Sequence, residues 1–477
     1  MRIGCIDSLP VRQKWEKKMT SSQELDSDEF PQPVYQQSIP GQAIELGSRK
    51  VRINFAGSTV VDVVARFVIA FQPDDRLQIE FCPGSLRDHP CVISLVWATG
   101  FQNKVQIELV DTGETFDAIL QSTGPDVVVY SAMHTPIQVS GDALTIKKAL
   151  FQLFNWPSFY GPESRGLRTT CNDREMERTR GVFTVRFGPY RAVVYETPQT
   201  KESIELLRTH GGYIGTHGGV LQRCDGSSFS AAEVREAVDF LDVLFSFVLG
   251  RWSGPHLLRG YSDDGSLRFE QWGLGRNEGG RWNPSTTWFD TRHAEFFTKL
   301  APRLWDLLQT KPWKQTLREI VAWYLEANKG GSGSLGVDSA LLLSQSALER
   351  IAWIHCVHSR CILEKKDFKP GGKDAASRLG VLADNLEIPR AIPSEMLERL
   401  PASMQQMNSL QVITKMRNAL VHPTQERCWT GQQYFAVWNT SMWLIEVALL
   451  KIIGYDGCYM DRTRLRAPGV VGSLPCS

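Results

Sequence analysis

Residues 432–453 read QQYFAVWNTSMWLIEVALLKII. Apolar side chains recur in this stretch at Tyr434, Val437, Trp438, Leu444, Ile445, Ala448, Leu449 and Ile452, with Ser441 in the same row. That is the i, i+3, i+4, i+7 spacing of one face of an α-helix. Moving back along the chain, segments 394–414, 374–385, 338–362, 314–328 and 293–309 read as helices as well. The last third of the chain is therefore expected to be an α-helical bundle. Segment 230–250 opens at Ser230 and stops at Gly250, which also reads as one capped helix.

Further upstream the period changes. RFVIAF (66–71), RLQIEF (76–81), CVISLVWA (91–98), KVQIELV (104–110) and DVVVYSA (126–132) each fit a short strand. Turn formers separate them at 73–75, Pro83-Gly84, 111–113 and Gly124-Pro125. VFTVRFG (182–188) and RAVVYET (191–197) continue the pattern across Gly188-Pro189. Strands at this spacing suggest an antiparallel sandwich or barrel. The expected fold class is α+β with several domains. A polar N-terminal extension (1–45) precedes a β-rich, sandwich-like domain (46–200). A mixed domain rich in tryptophan (201–312; Trp252, Trp272, Trp282, Trp288) precedes the helical domain (313–477).

The composition limits the function classes. With 42% apolar and 22% charged residues, the 477-residue chain is of globular type, and a largely disordered protein is excluded. The formal net charge is +1, so no field of the whole chain points to nucleic acid or a membrane, and any such surface must be local. Residues 401–477 are slightly basic, with seven Lys/Arg against four Asp/Glu. No continuous apolar run reaches the roughly 18 residues of a spanning helix. The opening MRIGCIDSLPVRQKWEKKMTSS has neither an apolar core nor a small-residue cleavage site, so no signal peptide is read. Ten cysteines without regular spacing fit reduced thiols. The expected location is cytoplasmic, with no membrane contact.

Three patterns invite a chemical reading and fail it. Gly331-x-Gly333-x-x-Gly336 has dinucleotide-binding spacing, but it follows a helix and is made of Gly and Ser, as a linker is. Asp111-Thr112-Gly113 sits between two strand patterns and reads as a hairpin turn. His355, His358 and Cys361 fall three apart, yet no complementary ligand pair stands out elsewhere. No metal and no cofactor are expected.

The informative segment is 415–423, KMRNALVHP. It holds Arg417, Asn418 and His422 between two helical stretches. RNA can be cut by its own 2′-hydroxyl, which needs a proton acceptor near neutrality and a cation for the charged phosphorane. Histidine titrates in that range, and arginine is a permanent bidentate donor to phosphate oxygens. Asparagine can hold the phosphate or orient the imidazole. Asn418 and His422 lie four apart and share a helix face. Arg417 and His422, five apart, diverge by about 140° on a straight helix. They converge only if the helix ends between them, which Pro423 favours by disfavouring α conformation at His422, or if a second protomer supplies the complementary residue. Glu349, a carboxylate in a mostly apolar helix, needs a cation, and Arg417 is a suitable one.

On these residues the chain resembles the HEPN superfamily, whose signature is R-x(4–6)-H with a polar residue often following the arginine. The resemblance runs over roughly 313–460. It takes in SALERIAW (346–353), RNALVHP (417–423) and the closing GYDGCYMDR (454–462). It implies a helical bundle of the kind that ends bacterial defence and abortive-infection proteins. It further implies a metal-independent endoribonuclease with Arg417, Asn418, His422 and Glu349 at its site, acting on RNA as a homodimer through the C-terminal bundle. The front domains would then sense a trigger of phage origin or restrain the nuclease, with an antitoxin as a possible partner. Two readings stay open: the same fold can bind RNA or protein without catalysis, and Arg417 can simply pair with Glu349 inside the bundle while His422 caps a turn.

Overall fold

The computed structural model describes residues 31–475 apart from 55–59, 72–75, 82–103, 124–127, 134–136, 140–144, 160–165, 172–173, 180, 274–285, 332–335, 423–428 and 465–470. The strand expected at 91–98 lies outside the described residues, as does Trp282. The architecture is α+β, β-rich at the front and helical at the back.

Six strands close a barrel: β1 (Ile44–Asn54), β2 (Val60–Ala70), β3 (Arg76–Phe81), β4 (Lys104–Leu109), β5 (Thr115–Thr123) and β6 (Val128–Ala132), in the order β1-β2-β3-β6-β5-β4. Alternation along each strand sends one row inward, and Val51, Ile53, Ala65, Phe67, Ile79, Phe81, Ile107 and Leu109 fill the interior. Closure requires strong bending. It is helped by a bulge between Glu45 and Gly47, where Gly47 takes φ +107°, and by another between Leu120 and Ser122. Closure also removes the exposed edges that a sandwich would leave. Asp111-Thr112-Gly113 is the β4–β5 turn, with Gly113 at φ +72°.

The next sheet has seven strands, in the order β11-β12-β13-β8-β14-β15-β7. These are β7 (Ile137–Gln138), β8 (Lys148–Phe154), β11 (Val182–Phe187), β12 (Tyr190–Glu196), β13 (Gly215–Arg223), β14 (His256–Tyr261) and β15 (Leu267–Trp272). A separate hairpin pairs β9 (Gly166–Cys171) with β10 (Arg174–Thr179). The boundary expected at 200/201 thus falls inside one sheet: β8 pairs with β13 and β14, β12 pairs with β13, and β11 joins through β12, none of them with the barrel. Strand alternation alone carries no information on which sheet a strand joins.

Helix α1 (Thr200–His210) precedes β13. Helix α2 (Ala231–Leu249) has a Ser230–Glu233 capping box and a left-handed Gly250, as its sequence signals require. Together with α3 (Glu295–Gln309) it covers the sheet, through Phe183 stacked on Phe297 at 4.6 Å and Phe187 on Phe240 at 4.4 Å. The barrel meets other sheet residues, with Phe67 on Trp272 at 4.9 Å and Phe71 on Tyr213 at 4.9 Å. Buried Glu270 ties this junction, accepting from Tyr35 Oη (2.9 Å), Arg49 Nη2 (3.0 Å) and Arg259 Nε (2.6 Å). Part of the expected loose extension is therefore docked: Tyr35, Gln37 and Gly41 bond to the sheet region.

The helical region holds α4 (Lys311–Gly331), α5 (Val337–Ala352), a π-helical turn (Trp353–Ser359), α6 (Ala375–Asn385), α7 (Ser394–Leu397), α8 (Ser409–Val421) and α9 (Gly431–Ile453). The helix expected over 394–414 is broken. Pro401 has no N–H to continue it, and Asn408 starts α8 with a capping box to Gln411. Helix α9 is capped by Thr430 and by left-handed Gly454. It is the one described helix long and apolar enough to cross a membrane (mean hydropathy 1.4), and 89% of that window is buried inside the fold. Asn439, Thr440, Ser441 and Glu446 interrupt its run, which is why a search for continuous apolar sequence passes over it. One core runs from Ile146 to Tyr459 without a break at residue 312.

Candidate functional site

Helix α8 ends at Val421, and His422 is its C-cap in extended conformation (φ −101°, ψ 111°), as Pro423 demands. The His422 N–H still donates to the Asn418 carbonyl at 2.9 Å, so its backbone completes the last helical bond. The ring is exposed, while Arg417 and Asn418 are half-buried. Arg417 Nη1 donates to Asn418 Oδ1 at 3.2 Å. Among the described residues the Arg417 guanidinium has no carboxylate partner, and the His422 ring makes no hydrogen bond.

Glu349 is not Arg417's partner. Its Oε2 accepts from Arg378 Nη2 at 2.8 Å and its Oε1 from Gln345 Nε2 at 3.0 Å. The chain therefore gathers Arg417, Asn418 and His422 at one helix end and gives Glu349 to α6. His355 is buried and bonds Asn385 Oδ1 at 2.8 Å, and burial lowers its pKa. Burial pushes the neighbouring Cys356 thiol up to about 12, which makes it inert. No group of three His, Cys, Asp or Glu among the described residues is placed to hold a metal ion.

Sequence reasoning missed a second polar constellation, enclosed in the core. Arg462, fully buried, donates to Glu446 Oε1 (2.8 Å), Asn328 Oδ1 (2.9 Å) and Asn439 Oδ1 (3.0 Å), and lies over the Trp438 ring at 5.1 Å. Tyr324 Oη adds a bond to Glu446 Oε1 at 2.7 Å, and Asn328 Nδ2 reaches the Gly250 carbonyl at 2.8 Å. Burial pushes the Glu446 carboxyl up to about 7, with Arg462 pulling it back. The available signal was a lone carboxylate, Glu446, in the apolar stripe of α9, which requires a buried cation. This network joins α2, α4, α9 and the chain after Gly454. Every bond to Glu446 goes to Oε1, while its Oε2 is buried with no hydrogen-bond partner among the described residues; the network braces the meeting of these elements inside the core.

Residues 141–281 match the family model described as the YopA central domain, and residues 310–472 match that of the YopA C-terminal domain. This chain is similar to YopA. The curated relative is the SPbeta prophage-derived uncharacterized protein YopA of Bacillus subtilis (strain 168). It is 27% identical over 274 residues, which cover 57% of this chain and 59% of the relative's length. No solved structure matches. The YopA-like C-terminal segment contains Arg417, Asn418, His422, Glu349 and the whole Arg462 network except Gly250.

Proposed function

We propose that the chain is a metal-independent endoribonuclease of HEPN type, with Arg417, Asn418 and His422 at its site. The observation that carries this reading is an arginine guanidinium with no carboxylate partner among the described residues, on the same helix end as the exposed imidazole of His422. In the reaction, the 2′-oxygen attacks the adjacent phosphorus and gives its proton to an imidazole. The bond from phosphorus to the 5′-oxygen breaks, and that oxygen takes up a proton. The products are a 2′,3′-cyclic phosphate and a 5′-hydroxyl. Arg417 neutralises the phosphorane oxygens, and Asn418 holds the guanidinium in place. Glu349, bonded to Arg378 and Gln345, takes no part in this chemistry.

A homodimer with a composite site is part of the reading. Trp438, Met442, Trp443 and Ile445 cannot form its interface, because the chain's own core buries them. Among the described residues of the helical region Val421, Phe435 and Ile362 remain exposed (40%, 38% and 43%), and Val421, which adjoins His422, is available to a second copy that completes the site. The reading includes a cytoplasmic role in phage defence or growth arrest, with the barrel and sheet sensing a phage-derived trigger or restraining the nuclease.

The test is cleavage of RNA by the purified full chain in EDTA. His422→Ala and Arg417→Ala should each reduce it by at least about 100-fold, a typical contribution of acid–base catalysis, with melting unchanged because both residues are solvent-accessible. Full activity in His422→Ala would sink the proposal. RNA retention without cleavage in the unmodified protein would leave a binding module instead.

A further inference from the structure

Between α5 and α6 the chain makes a compact arm, 359–374, held to the core by buried Leu363 and half-buried Phe368, with most of its other residues exposed. The π-helical turn Trp353–Ser359 leads into it, and such turns occur frequently at functional sites. Cys361 follows at φ +54°, then a 3₁₀ turn (Lys365–Phe368) held by a Glu364–Asp367 capping box. Arg378 fixes the arm from inside. Its Nη1 donates to the Lys373 carbonyl at 2.6 Å, its guanidinium lies 4.8 Å over the Phe368 ring, and Nη2 is anchored on Glu349. Gly372 is required by this closure, since a Cβ there would meet the Lys366 carbonyl oxygen at 2.5 Å.

The three acids of the arm are engaged locally: Glu364 and Asp367 form the capping box, Asp374 caps α6 by accepting from the Ser377 N–H at 2.7 Å, and Glu364 also pairs with Lys366 at 3.0 Å. Arg360, Lys365, Lys369 and Lys373 are exposed and have no carboxylate partner among the described residues. Half-buried Trp353 and Phe368 stand edge to face at 4.9 Å, with exposed His358 at 5.2 Å from Trp353. Exposed cations set beside the exposed His358 ring and the partly exposed Trp353 and Phe368 rings suit a single-stranded polynucleotide: cations for phosphates and aromatic rings for bases. A membrane surface would need an exposed apolar edge beside the lysines, and only Ile362 supplies one.

We infer that the arm 359–374, anchored by Glu349 and Arg378, is a docking surface for single-stranded RNA. The choice of RNA over other polyanions rests on the ribonuclease reading. The arm shares no residue with the Arg417–His422 helix end, so binding and cleavage can fail independently.

The test uses the full chain carrying His422→Ala and a fluorescein-labelled oligouridylate, with Kd measured by anisotropy across a salt series. Adding Lys365→Ala, Lys369→Ala and Lys373→Ala together should weaken binding at least tenfold at low salt. It should also flatten the slope of log K against log salt by about 2, since each single-strand phosphate contact contributes about 0.7. These side chains are exposed and unpaired, so the melting temperature should not move. Phe368→Leu should weaken binding while leaving the salt slope unchanged. An unchanged Kd and slope in the triple-lysine variant would overturn the inference. So would stronger binding to vesicles rich in phosphatidylserine than to the oligonucleotide, lost in the same variant. Loss of cleavage in His422→Ala with RNA binding intact bears on the site at α8 and not on the arm.

Discussion

A carboxylate inside an apolar helix poses one question at the level of single residues: which cation answers it. Glu349 and Glu446 are two such carboxylates, and the sequence names neither partner. Arg378 lies 29 residues from Glu349, and Arg462 lies 16 from Glu446. Spacing along the chain cannot rank Arg417 against Arg378, because the choice depends on which helix packs beside α5. The helix end at His422 was legible, since Pro423 acts locally. Glu446 carries a pH prediction. Its folded pKa is raised from the ordinary 4.5 to about 7, so between those values the folded chain keeps a proton that the unfolded chain releases. The contribution is fully present below about pH 4.5 and is lost as pH rises to 7, as much as ~3 kcal/mol over that window. Subtracting Glu446→Gln stability from wild-type stability, by urea melts at several pH values, should give a difference that falls with pH. Parallel curves would refute the assignment. Arg462→Ala, which leaves a buried carboxyl alone, should cost ~3–5 kcal/mol at pH 8.

At the scale of elements, most helices and strands can be read from period and caps. The interruptions cannot. Helix α2 and helix α9 both stop at a glycine that the structure holds in left-handed conformation, which the sequence signals directly. The helical period over 394–414 continues through Pro401, so periodicity alone joins two pieces that backbone chemistry separates. The start of α8 depends on Asn408, whose side chain accepts from the Gln411 N–H at 3.0 Å while Gln411 returns a bond to the Asn408 N–H. Asn408→Ala removes one arm of this box and should destabilise the protein by ~1 kcal/mol. Because α8 positions Arg417 and His422 at its far end, fraying there should leave the site intact. Melting should therefore fall by a few degrees with RNA cleavage unchanged at 25 °C. A loss of cleavage out of proportion to stability would mean that the helix start is coupled to the site.

At the scale of the whole molecule, the composition change near residue 312 marks where strands stop, not where a folding unit begins. Tyr324 and Asn328 of α4 bond to Thr287 and to the carbonyl of Gly250, both before that point. Phe247 packs on Tyr324 at 5.6 Å, and Trp288 on Tyr455 at 5.6 Å. A chain of residues 313–477 loses these partners and exposes the faces of α4 and α9 that meet α2 and α3, so it should bind hydrophobic dye and melt without a cooperative transition. The barrel is different. Its interior is filled by its own strands, and its junction rests on a few rings and on Glu270. A chain of residues 137–477 keeps the sheet, α2, α3 and the Arg462 network, and it keeps Arg259 beside Glu270 after Arg49 and Tyr35 are gone. It should fold cooperatively with a lower melting temperature, because Phe154, Tyr213, Leu257 and Trp272 lose their cover. Differential scanning calorimetry of both fragments beside the full chain decides the matter. If 313–477 melts as sharply as the full chain, the continuous core is not the unit of cooperativity. If 137–477 fails to fold, the barrel is part of that core and not an appendage to it.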